Sequence, residues 1–223
     1  MKISATTLNL LKNFSGVNAS ILVKPGSVLK TISPQNNIMA EAQVDEDFET
    51  GFAIYDLSQF LSAVSLFADA DFDFQDQFVK ISSGNRAIRY YFADPSMVKA
   101  AGDKKVALPS VDVAFDLSEK QLQDILKAAS VLQVPEIAIV SNGAGKTAVK
   151  ATDTTNNTSN DFSVEVDHES DTKFKLIFKA ENLKMIAGDY KVEICARGIA
   201  RFYNEKLRVE YFIATESKSE YNK

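Results

Sequence analysis

The sequence is poor in the side chains on which metal proteins and nucleophilic enzymes rely. Among its 223 residues there is one cysteine, Cys195, and one histidine, His168. A single cysteine excludes an internal disulfide and argues against a cysteine-built metal cage. Zinc sites gather several Cys and His ligands, so His168, set among Asp167, Glu169 and Ser170, reads as a loop residue. Cys195 lies in the apolar alternation of Val192, Ile194 and Ala196 with no histidine nearby in sequence to activate it. It reads as a small buried side chain rather than a nucleophile. No apolar run approaches the length that spans a membrane. The opening M-K-I-S-A-T-T-L-N-L-L-K-N-F meets Asn9 and Lys12 too early for a signal peptide, so a cytosolic, soluble chain is expected. Positive charge is also scarce: 25 Lys and Arg stand against 30 Asp and Glu, a net charge of −5. That balance excludes a protein coating nucleic acid with its whole surface, but it leaves room for a local basic lining.

What is present is enough for real cores: 45% of residues are apolar and 25% charged, over a length that suits one large domain or two ordinary ones. Two motifs invite chemistry and fail. G-A-G-K-T at 143–147 lacks the glycine a phosphate loop needs, because Val140 holds that place and no helix signal follows Thr147. It reads as the glycine-rich tip of a hairpin turning at Asn142-Gly143. Asp69, Asp71, Asp73 and Asp76 resemble a calcium loop, but the sixth position, where the turn demands glycine, is Phe74. Alternation with phenylalanine makes them the wet face of a strand. Asn156-Asn157-Thr158-Ser159 matches a glycosylation sequon that a cytosolic chain would not use. No metal, cofactor or catalytic constellation survives, and a non-enzymatic protein is expected.

The most informative stretch is V-A-F-D-L-S-E-K-Q-L-Q-D-I-L-K-A-A-S-V-L at 113–132. A strand ends at Leu117, Ser118 can cap a helix, and Glu119 suits its positive end. Leu122, Ile125, Leu126 and Ala129 recur at helical spacing. Lys120 and Lys127, seven apart, fall on one side of the helix, away from that stripe. Earlier, Thr6 or Thr7 can cap a first helix burying Leu8, Leu11 and Phe14. A second runs from Asp56 or Ser58 with Leu57, Phe60, Leu61 and Val64 inward. A short fourth spans Glu181 to Ile186. Between these lie strands, a linker from Asp94 to Ser110, and a polar tail after Glu216 that reads as loose. Both halves follow the order helix, strands, strand into helix, three strands, with A-I-Y-D-L-S-Q-F-L at 53–61 echoed by I-F-K-A-E-N-L-K-M at 177–185. The expected fold is α+β: two similar domains, 1–109 with the connector and 110–223, each an antiparallel sheet with two helices on one face.

Several segments, taken in order, resemble the T4-type bacteriophage sliding clamps. They are Met1-Lys2 with L-L-K-N-F at 10–14, A-I-Y-D-L at 53–57, A-D-P-S at 93–96, Leu122, Gln123, Leu132, Gln133 and Ile137-Ala138-Ile139, and G-x-Y-K at 188–191. The resemblance implies a ring-forming homotrimer of the DNA-clamp fold, a processivity factor that encircles duplex DNA without reading its sequence. It implies the phage DNA polymerase, a clamp-loading ATPase and late-transcription proteins as partners, with no cofactor, in the cytoplasm of an infected bacterial host. By that likeness Lys2, Lys12, Lys120, Lys127, Lys179 and Lys184 would line the channel, while Ser130 and Ala5 stand where basic residues are expected. Val98, Leu108 and Pro109 would belong to a cleft for partner peptides. An edge strand must join neighbouring subunits. The candidates are Tyr90, Tyr91 and Phe92 on one side and the strand Lys146–Ala151, with Val149, on the other. The competing reading is a β-rich phage adaptor or structural subunit that does not bind DNA.

Overall fold

The computed structural model describes residues 1–156 and 158–222; Asn157, in the sequon noted above, lies outside the described residues. The chain divides into two compact units, Met1–Lys104 with Lys206–Val209, and Lys105–Glu205 with Glu210–Lys223.

The first unit begins with helix α1 (Ala5–Ser15), followed by β1 (Ile21–Val23), β2 (Gly26–Ile32), β3 (Ile38–Phe48) and β4 (Phe52–Ile54). Helix α2 (Leu57–Val64) and the strands β5 (Asp71–Phe74), β6 (Phe78–Ser83) and β7 (Arg86–Tyr91) complete it. β1 pairs with β4, β2 with β3, and β5, β6 and β7 form a meander, all antiparallel. The core is built from Leu10, Leu11 and Phe14 of α1, Leu57 and Phe60 of α2, and Leu29, Ile54 and Ile81 from the strands. α1 is capped two residues earlier than Thr6: the Ser4 hydroxyl accepts from the Thr7 amide at 3.2 Å. A buried carboxylate explains the choice, because Glu46 accepts both the Ser4 amide and the Thr7 hydroxyl at 2.5 Å.

The second unit holds β8 (Val113–Leu117), α3 (Glu119–Leu132), β9 (Glu136–Asn142), β10 (Gly145–Thr152), β11 (Phe162–Ser170) and β12 (Lys173–Lys179). After a 3-10 turn at Ala180–Leu183 come β13 (Tyr190–Cys195), β14 (Ile199–Asn204), β15 (Val209–Ala214) and β16 (Glu220–Asn222). One sheet runs β11-β10-β9-β12-β16, and β15, β14, β13 and β8 are neighbours in another. Both units are therefore α+β with antiparallel sheets, as expected.

Two details differ from the sequence expectation. In place of the helix expected at 181–186 there is a single 3-10 turn at Ala180–Leu183, because only Asn182 and Leu183 are buried and so short a stretch cannot offset helix nucleation. The polar tail is tied down: β16 pairs with β12, Tyr221 stacks on Phe174 at 5.7 Å, and the Ser219 hydroxyl accepts the Ile177 amide at 2.9 Å. Cys195 is fully buried, as its alternation implied.

Candidate nucleic-acid interface

α3 is the best-defined carrier of exposed cations. Its start is a reciprocal cap: the Ser118 hydroxyl accepts from the Gln121 amide at 3.3 Å, and Gln121 Oε1 accepts the Ser118 amide at 2.9 Å. Asp189 adds a further anchor, its carboxylate accepting the Glu119 amide at 2.8 Å. The helix ends where Gln133 adopts a left-handed conformation, φ 53°. Leu122, Ile125 and Ala129 are buried, so the face seven residues in period that bears Lys120 and Lys127 is held outward.

The six lysines proposed from sequence are not equivalent. Lys12 in the last turn of α1, Lys127 on α3 and Lys179 are exposed, with no ion pair among the described residues. Lys120 is 88% exposed at its side chain and leans on Asp124 one turn on, at 3.2 Å. An exposed pair of this kind contributes little and yields readily to a competing anion. Lys2 lies before α1 rather than on it, and is held by Asp69 at 2.8 Å and Asp71 at 3.3 Å. The Asp69 bond raises the pKa of its ammonium. The acidic run 69–76, read from sequence only as a wet strand face, thus neutralises one expected cation. Period-two alternation places Asp71 on that face but gives no hint that Lys2 would reach it.

Lys179 and Lys184 flank the 3-10 turn, and both edge a groove of about 500 Å³ that runs beside α3 past Leu126, Ala129, Ser130 and Glu181. A single 3-10 turn stands beside the groove where the sequence suggested a short helix. On its floor Glu136, only 7% exposed, accepts the Thr154 amide at 3.0 Å and pairs with Lys218. Burial pushes this carboxyl up, but the Lys218 and Thr154 bonds outweigh it and leave the pKa below its ordinary value. α2 adds no charge: Ser58, Gln59 and Ser62 are its exposed residues.

The residues proposed for a peptide cleft separate. Val98, in the first unit, is only 8% exposed and offers little surface to a partner. Leu108 is half-buried and Pro109 exposed.

The edge-strand candidates also need correction. β10 is an interior strand: β9 pairs with one side of it and β11 with the other, so Lys146 and Val149 offer no free backbone edge. The outer strands of that sheet are β11, next to β10, and β16 at the other end. β7 is an outer strand, as expected, yet only Tyr91 of the three aromatics points away, at 62% exposure. Tyr90 packs edge-on to Phe60 at 5.2 Å and donates to the Asp56 carbonyl at 3.2 Å. Phe92 has left the strand and stacks on Phe52 at 5.2 Å.

Among the described residues no group of three or more His, Cys, Asp or Glu side chains could hold a metal ion, and no helix is long and apolar enough to cross a membrane. Residues 2–95 match the family model described as DNA polymerase processivity factor, and 114–217 the model described as gp45 sliding clamp, C terminal. The sliding clamp of Vibrio phage KVP40 is 36% identical over 223 residues, covering 97% of this chain and 100% of that protein. The sliding clamp of Enterobacteria phage T4 is 31% identical, covering 98% of each. Among solved structures, A. fulgidus PCNA, bound there to the C-terminal region of FEN-1, shares the fold with a TM-score of 0.69 at 14% identity, covering 96% of each chain.

Proposed function

The chain belongs to the phage sliding clamp family of DNA polymerase processivity factors, and from that membership we propose that three copies close into a ring around duplex DNA and tether the phage polymerase to its template. The observation that carries this reading is the one-sided helix α3: in a chain of net charge −5, its leucine face is buried and its lysine face is held out to solvent. Lys12, Lys127 and Lys179, with Lys120 and Lys184 beside them, form the lining; Lys2 contributes least because two aspartates hold it.

Lysine suits a sliding contact. Its ammonium is a flexible point charge that attracts phosphate without the bidentate geometry that fixes register, and no base edge need be read. Attraction to the backbone is then weak, dependent on salt and indifferent to sequence. Residence on DNA comes from closure of the ring rather than affinity. The protein performs no catalysis of its own; a loader ATPase opens it, and late-transcription proteins as well as polymerase dock on its surface. Leu108 and Pro109 are the connector residues offered to partner peptides. The work takes place in the cytoplasm of the infected host.

Reversing Lys12 and Lys127 to glutamate tests the lining. In primer extension with loader and polymerase, product length should fall sharply while the free protein keeps its melting temperature. Unchanged extension would remove the lysines from the DNA path.

A further inference from the structure

The run Gly188-Asp189-Tyr190 links the two lysine carriers of the second unit, the 3-10 turn that leads into Lys184 and the helix α3. Residues 184–189 belong to no helix or strand, so their main chain must find hydrogen-bond partners elsewhere. Ile186 finds both of its partners on buried tyrosines. The Tyr190 hydroxyl donates to its carbonyl at 2.5 Å, and its amide donates to the Tyr211 hydroxyl at 3.2 Å. The two rings meet edge-on at 6.2 Å, and the Asn204 side chain hydrogen-bonds Tyr190. Tyr190, Tyr211 and Asn204 are each no more than 2% exposed. Gly188 lets the loop lie against this cluster: its φ is 150°, and a Cβ there would stand 2.2 Å from Asn204 Nδ2. The next residue, Asp189, accepts the Glu119 amide at 2.8 Å, and Tyr190 pairs across β13 and β8 with Leu117, one residue before the Ser118 cap of α3.

We propose that Tyr190 and Tyr211 are positioning residues for the DNA contact, fixing the 184–189 loop so that Lys184 and the start of α3 keep one spacing. This rests on the lysine lining proposed above and names what aims part of it. Leu183 is buried on one flank of Lys184, and Ile186 is tied on the other. The Lys184 side chain therefore leaves a backbone held on both sides. A lysine is a flexible point charge, and where its ammonium can reach along a duplex is set by the backbone that carries it. Without the Tyr211 hydroxyl, the Ile186 amide loses its acceptor and the loop must shift to recover one. Asp189 passes the same constraint to α3, at the helix end where a carboxylate also suits the dipole.

A double-mutant cycle on DNA binding tests the assignment. Affinity for a short linear duplex is read by fluorescence anisotropy at low salt, well below the melting temperature of every variant. The proteins are wild type, Tyr211→Phe, Lys184→Gln and the two changes together. Tyr211→Phe keeps the ring and removes only the hydroxyl. It should weaken binding about threefold alone, and add nothing beside Lys184→Gln, because it acts through that lysine. Tyr190→Phe in the same cycle should couple to Lys184 likewise, and either tyrosine variant decides the matter if the other does not fold. A loss of equal size with and without Lys184 would mark a general structural role and overturn the assignment, as would no loss at all. Lys127→Gln separates this from failure of the lining. If Lys127→Gln weakens binding while the tyrosine variants do not, only the positioning role falls; if it also leaves binding unchanged, the lining falls with it.

Discussion

At the scale of single residues, a buried carboxylate shows how the first unit is pinned. Glu46, 8% exposed, holds the first turn of α1 through the Ser4 amide and the Thr7 hydroxyl. Burial pushes its carboxyl up, yet the Ser4 and Thr7 bonds outweigh that and hold the pKa below its ordinary value of 4.5. A depressed carboxyl stabilises the fold fully above the unfolded value, and the contribution is lost as pH falls through the folded one. Thermal melts of wild type should therefore lose stability as pH falls below 4.5 and through the depressed folded pKa of this group. Glu46→Gln should already lack that increment at neutral pH and show a flatter acid limb. Equal acid limbs would mean that the Ser4–Thr7 bonds carry no net stability. Lys2 gives the reverse test. Asp69→Asn with Asp71→Asn should free its ammonium, steepening the salt dependence of DNA binding by about one charge per subunit. An unchanged slope would place Lys2 away from the DNA.

Among the elements, α3 was the most legible. Its apolar period, Ser118 cap and outward lysines all follow from spacing, and only Gln121's return bond and the Asp189 anchor were hidden, the latter because it comes from 70 residues away. Ser118→Ala should cost about 1 kcal/mol and lower the melting temperature of the second unit by a few degrees, read by calorimetry. No shift would mean that Asp189 alone suffices as the cap. The strands were legible too, down to the hairpin at Gly143, where φ is 80°.

What escaped sequence reasoning was long-range pairing. Alternation reports which face of a strand is wet, but not which neighbours flank it, so β10 looked as eligible for an edge as β11. β16 escaped for a related reason: three residues, E-Y-N, are too few to show a period, and the strand is held by Tyr221 stacking on Phe174, 47 positions earlier by sequence number. Val98, expected from the resemblance in a partner cleft, is buried: the linker has no period from which exposure could be read, and a lone apolar residue in a polar stretch often anchors it to the core.

On the scale of the whole molecule, charge distribution does the work that affinity does elsewhere. In the proposed ring, outward lysines on α1, α3 and the strand before the 3-10 turn attract DNA weakly in a chain of net charge −5. Retention must then be topological, and it can be measured as such. Protein loaded onto nicked circular plasmid by the loader ATPase is isolated on a sizing column, and the plasmid is then cut once with a restriction enzyme. Encirclement predicts stable retention on the circle and prompt release through the free ends after cutting. Retention that is the same on circular and linear DNA, or lost from both at the same rate, would contradict a ring closed around the duplex.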